Sequence, residues 1–108
     1  MDNIFYAVSL NGVSGSGYPK HNGFLVVKGS KFSQEITLSI SNGIAELRKK
    51  LIESNILVKE ENYLVLTQDY LFTSASTASS LLFGRSSNGL KEWKLSNGKT
   101  LKEVLGKN

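Results

Sequence analysis

A change of hydrophobic period at Ser41 narrows the fold more than any other feature of the chain. Before it, Ile36, Leu38 and Ile40 alternate with Glu35, Thr37 and Ser39, the period of two expected of a strand with one wet face. After it, Ile44, Leu47, Leu51 and Ile52 recur at helical spacing, with Ser41, Asn42 or Gly43 available to cap the first turn. Strands and helices must therefore share one core, which predicts an α+β domain. The expected architecture is a small, mostly antiparallel sheet of about four to five strands, with two main helices and a short C-terminal helix.

The same reasoning assigns the elements. Residues 4–10 carry apolar or aromatic side chains on both faces and read as a largely buried, central strand. Residues 11–23 hold Gly12, Gly15, Gly17, Pro19 and Gly23 with Ser14 and Ser16, a breaker-rich stretch that reads as a long surface loop. Residues 24–28 form a second apolar run, and Gly29-Ser30 turns it into a third at residues 31–40, an antiparallel hairpin. The helix that opens near Ser41 runs to about Ser54; Asn55 suits the left-handed position that closes it, and Ile56 and Leu57 fold back on its last turn. Arg48, Lys49 and Lys50 are consecutive, fan over about 200° of that helix and read as a solvated face.

After a polar turn at residues 59–62, residues 63–67 read as another strand, and residues 68–72 lead into a second helix capped by Thr73 or Ser74 and closed by Gly84. Residues 89–95, with Trp93, read as a last short strand, and Asn97-Gly98 as a hairpin turn. Thr100-Leu101-Lys102-Glu103 is a capping box, so a short helix follows with Leu101, Val104 and Leu105 facing inward.

With 108 residues the chain fits a single domain spanning residues 1–108. Its 40% hydrophobic and 20% charged residues argue against disorder and against a membrane span. The absence of cysteine excludes disulfides, a thiolate zinc site and a cysteine nucleophile, so stability must come from packing. Met1-Asp2-Asn3 leads into an apolar run too short for a secretory signal, which makes the cytoplasm the expected location. The net charge of +4 is uneven: residues 1–83 hold seven basic and seven acidic side chains, whereas residues 84–108 hold six basic and two acidic ones. A basic surface in the last quarter points to a polyanionic partner, or serves solubility.

Catalytic and metal-binding patterns fail one by one. His21 is the only histidine, with no nucleophile elbow around it and no second histidine for a metal. Gly98-Lys99-Thr100 imitates the end of a phosphate-binding loop, but Trp93 stands where the first glycine belongs; Gly15-Ser16-Gly17 meets Lys20 where a dinucleotide fingerprint needs its third glycine. A carboxylate pair brought together by the fold is invisible at this level. The expectation is a non-catalytic chain with no cofactor and no metal.

What remains is Phe-Thr-Ser-Ala-Ser-x-Ala-Ser from Phe72, Gly-Arg-Ser-Ser-Asn-Gly from Gly84, Glu-Trp-Lys from Glu92, and Asn-Gly-Lys-Thr-Leu from Asn97. This segment, residues 72–105, resembles the bacterial domain-of-unknown-function family 4357. Residues 23–30, 46–52 and 64–72 resemble the region that commonly precedes it. The segment is also similar to the domain associated with restriction enzymes and adenine methylases. Domains of this kind are appended to GIY-YIG nucleases and restriction-modification components, so the resemblance implies a DNA-linked accessory role. The nuclease is absent, since the chain has no Gly-Ile-Tyr and Tyr-Ile-Gly pair.

The resulting expectation is weak DNA binding, with DNA and a nuclease or methylase subunit as partners and no membrane. Arg85, Lys91, Lys94 and Lys99 would neutralise phosphates, while Ser86, Ser87 and Asn88 would donate hydrogen bonds to phosphates or base edges. Asn88-Gly89 is equally a turn signal. Thr73, Ser74 and Ser76 open a helix of small residues whose first N–H groups suit an anion, or whose small side chains serve close packing. Trp93 suits base stacking or the core, and the core is the expectation. The alternative is a protein-interaction module in which the basic residues only aid solubility.

Overall fold

The computed structural model describes residues 3–106; Met1, Asp2 and Lys107, used above for the N-terminal reading and the charge count, lie outside them. β1 (Phe5–Val8) and β2 (Ser14–Lys20) form an antiparallel hairpin, with Phe5 opposite Gly17 and Val8 opposite Ser14. β3 (Gly23–Val26) returns along the other edge of β2, so Gly17 has Phe5 on one side and Val26 on the other. After a turn at Lys28 and Gly29, β4 (Lys31–Phe32) continues along that edge, with Lys31 opposite Ser14. α1 (Asn42–Glu53) precedes β5 (Leu57–Lys59) and β6 (Leu64–Leu66), which pair with each other, β6 also joining β4. β7 (Tyr70–Phe72) joins β3 and leads into α2 (Ala75–Phe83), α3 (Gly89–Glu92) and α4 (Leu101–Leu105). The strand order is β5-β6-β4-β2-β3-β7, with β1 on the free side of β2.

The fold is α+β with an antiparallel sheet, as the change of period implies, but among the described residues the sheet has seven strands instead of four or five. The largest correction is β2. Residues 11–23 are not a loop: they supply the strand around which β1, β3 and β4 assemble. Its glycines make this possible. A Cβ at Gly15 would press on the Leu82 methyls at 3.1 and 3.2 Å, and one at Gly17 would meet the Leu25 carbonyl and the Phe24 ring. Pro19 lies beyond the stretch paired with β1, where a missing N–H is tolerated. His21 (φ 48°) and Asn22 (φ 65°) form the two-residue turn to β3, the left-handed pair that suits a tight hairpin.

The second correction lies downstream of β4. Residues 33–40 do not extend it, because their backbone joins the end of α2: Ser33 N–H donates to the Leu82 carbonyl (2.8 Å) and Thr37 N–H to the Gly84 carbonyl (2.7 Å). Ile36 and Leu38 stay exposed despite their alternation. Third, residues 89–92 coil into α3 instead of a strand, because the Asn88 Oδ1 accepts the Leu90 N–H as an N-cap. β1 is also shorter than residues 4–10 and buries one face only; Phe5 and Ala7 are inside, Tyr6 and Val8 outside. In α4 the capping box forms as expected, but only Leu101 is buried while Val104 and Leu105 are exposed.

α1 matches its prediction closely. The Ser41 hydroxyl accepts the Ile44 N–H, Asn55 takes φ 60° and Ile56 N–H donates back to the Leu51 carbonyl at 2.9 Å. Lys49 and Lys50 are exposed, whereas Arg48 is half-buried and donates to the Gln34 carbonyl. Burial lowers the Arg48 pKa from its ordinary value.

Helices cover one face of the sheet. Phe24, Val26, Phe32, Leu64, Leu66 and Phe72 share a buried cluster with Leu51, Ala78, Leu81 and Leu82 of α1 and α2. Strand parity turns Tyr6, Val8, Tyr18 and Leu71 to the opposite face, where Tyr6 is 46% and Val8 67% exposed. No described helix is long and apolar enough to cross a membrane.

Gly17 and Gly43 separate crowding from chain entropy. Gly17→Ala should destabilise by about 1–3 kcal/mol through overpacking. Gly43→Ala, whose Cβ meets open space within α1, should stabilise by about 0.4–1 kcal/mol. Denaturant unfolding midpoints of the two variants check both signs.

Candidate nucleic-acid interface

The motif-bearing segment folds back on itself around the first turns of α2. Small residues there let α3 approach: a Cβ on Gly89 would collide with the Ala75 backbone. Ser76 Oγ accepts the Gly89 N–H at 2.9 Å, and the indole Nε1–H of Trp93 donates to the Ala75 carbonyl at 3.0 Å. Trp93 is fully buried, with its ring 4.5 Å from that of Phe24, so it belongs to the core as expected.

Inside α2, Ser79 and Ser80 are buried polar residues that need partners. The 85–88 loop supplies them. Ser79 Oγ lies 2.6 Å from Ser87 Oγ, while Ser80 Oγ accepts the Ser87 N–H and donates to its carbonyl. Ser86 N–H donates to Ser39 Oγ at 3.2 Å. At the start of α2, Ser74 is the N-cap, accepting the Thr77 N–H at 3.0 Å, and the Thr73 hydroxyl points at that of Thr77. The hydroxyls of Ser74, Ser76 and Ser87, and the Asn88 Oδ1, are thus all committed within the protein.

The cations stay outside. Arg85 lies over the Phe83 ring, 4.8 Å from its centroid, and pairs with Glu92 at 3.6 Å. Lys94 pairs through its backbone with Tyr6 (2.7 and 2.9 Å), and also bridges to Thr100, next to exposed Lys99. Val8 shares one open cleft with Arg85 and another with Tyr6, Glu92 and Lys94. The structure therefore brings Arg85 and Lys94 to the outer edge of β1. Lys91 is exposed on α3 and lines neither cleft.

Sequence reasoning missed the neighbours of these cations on the sheet. Tyr6, Tyr18, Lys20 and Lys31 share the uncovered face by strand parity, and Lys28 lines a cleft of about 260 Å³ with Tyr6, Val8 and Ser16. The alternation of Ser14, Ser16, Tyr18 and Lys20 carried this signal, but it becomes visible only once residues 14–20 are read as a strand. Among the described residues no three His, Asp or Glu side chains are placed to hold a metal ion.

These features define an antiparallel α+β domain with helices on one face of its sheet and a basic margin along β1. Residues 5–105 match the family described as a domain of unknown function, DUF4357, and the chain belongs to that family. No curated protein and no solved structure matches it.

Trp93→Phe removes the indole donor to the Ala75 carbonyl at the α2 start, and should lower stability by about 1–3 kcal/mol, read from the denaturant midpoint by circular dichroism. The backbone N–H of Thr100, and then its hydroxyl, hold the Glu103 carboxyl below its ordinary pKa against a small opposing effect of desolvation, with Lys99 adding to the lowering. A lowered folded pKa means that the cap's contribution is present above the unfolded pKa and is lost as pH falls through the folded one. Protection of the Thr100 amide, relative to its intrinsic exchange rate, should fall across that acidic window in the wild type and show no such step in Glu103→Gln.

Proposed function

We propose that this chain is a non-catalytic accessory module that binds DNA weakly, in a nuclease or restriction-modification context. The observation that carries the reading is the division of labour along residues 84–100. Ser87 and Asn88 serve the fold, while Arg85, Lys91, Lys94 and Lys99 face solvent. Such a surface recognises phosphate charge and offers little base-edge chemistry, so affinity is low and nearly independent of sequence. The exposed Arg85–Glu92 pair contributes little to stability, leaving Arg85 free to exchange its carboxylate for a phosphate. Useful occupancy then comes from tethering to a second DNA-bound protein.

A second reading, a protein-interaction module, is favoured by Ile36 and Leu38, which are exposed on the segment laid across the end of α2.

The test is a titration of isotope-labelled protein with a short DNA duplex, following backbone amides at two salt concentrations. Salt-sensitive shifts should cluster between Gly84 and Lys99. With about three phosphates neutralised, affinity should fall roughly 40-fold between 50 and 200 mM salt. Amides that stay unmoved at low salt and high protein concentration would sink the DNA reading and favour the protein partner.

A further inference from the structure

The charge count along the sequence gives residues 1–83 no net charge, yet the fold sorts those charges by face. Lys20 and Lys31 lie on the uncovered side of the sheet by register, and Lys28 lines a cleft there. Lys94 joins them opposite Tyr6. Among the described residues the acids go elsewhere: Glu46 and Glu53 sit on α1, Glu60 and Glu61 in the turn between β5 and β6, and Glu35 on the segment crossing the end of α2. At the margins of the open face stand Asp69, which accepts the Lys28 N–H at 2.8 Å, and Glu92, which pairs with Arg85. The result is a cationic surface built from both halves of the chain.

Between the lysines stand aromatic rings. Tyr6 is opposite Ser16, and Tyr18 is two residues further along β2, so the tyrosines are diagonal neighbours on one face, about 7–8 Å apart. Ser14 and Ser16 beside them are small; Tyr6 is 46% exposed, and Tyr18, opposite the buried Leu25, is partly exposed. Two adjacent rings on an open sheet, ringed by cations, are what successive unstacked bases of a polyanion require. A duplex keeps its base faces stacked inside and cannot use them. A protein partner fits less well, because lysine is depleted from protein–protein interface cores.

We infer that the open face of the sheet binds single-stranded nucleic acid, with Tyr6 and Tyr18 stacking on bases and Lys20, Lys28, Lys31 and Lys94 holding the backbone. The inference rests on the nucleic-acid reading above and gives it a surface and a strand state.

The test uses fluorescence anisotropy with a labelled oligothymidylate and, in parallel, with a duplex, on the wild type and on Tyr6→Ala, Tyr18→Ala and the corresponding phenylalanine variants. Each alanine variant should weaken single-strand binding roughly 5- to 150-fold, the phenylalanine variants should retain it, and duplex binding should change far less. Amide shifts of the wild-type protein with oligothymidylate should map to β1 and β2, a readout independent of how well any variant folds. Single-strand binding unaffected by the alanine variants, or shifts confined to residues 84–99, overturns the inference while the DNA-binding reading survives. Binding of duplex alone does the same. Absence of binding to either probe at low salt removes both and leaves the tyrosine face to a protein partner.

Discussion

The structure hangs on the side chain of Trp93. Its ring packs against Phe24 in the sheet, its indole N–H holds the first turn of α2 through the Ala75 carbonyl, and its own carbonyl accepts the Leu101 N–H at the start of α4. The next residue, Lys94, carries the backbone pairing to β1. One buried aromatic thus sets the relation of the sheet to the last three helices. Burying a side chain of this size contributes a large apolar term, and its single polar atom is satisfied, so no unpaired donor offsets that gain.

Around this anchor the residues that carry the family pattern act mostly as a lock. The small residues of α2 admit Gly89, and the buried hydroxyls of Ser79 and Ser80 bind the loop that contains Ser87. A loop held by its own serines has a fixed backbone, which sets where its charged side chains leave the surface. Arg85 and Lys94 accordingly keep a defined relation to β1 although both are exposed. The hydroxyls of this segment are spent on structure, and its cations are left facing solvent.

How much of this was legible in the sequence depended on whether a signal was local. The caps of α1, α2 and α4 were readable because Ser41, Ser74 and Thr100 act within three residues of themselves. Asn55, Gly84 and the burial of Trp93 were equally clear. β2 was not, since Gly15 and Gly17 look like breakers until Leu82, Phe24 and the neighbouring strands are known to lie against them. Ile36 and Leu38 misled in the opposite way: their alternation was real, but the carbonyls of α2 competed successfully for the backbone that a strand would have used. At Asn88 the same side chain serves a turn or a helix cap, and only the packing of Gly89 on Ala75 decides between them. For the candidate site, the cations of the C-terminal quarter could be named from charge alone, whereas Tyr6, Tyr18 and the lysines beside them needed the strand register.

The backbone pairing of Tyr6 with Lys94 also bears on how the protein is made. β1 gains its second neighbour only when a segment close to the other end of the described chain is in place. During synthesis the first hairpin emerges long before that partner exists, so its outer edge, with exposed Tyr6 and Val8, waits unprotected while the ribosome completes the rest. Contacts that span so much of the chain slow folding as well. The last quarter therefore acts as a closing clasp, and a ribosome stalled before Trp93 would hold a chain with its core unsealed and its first strand open to pairing with a neighbour.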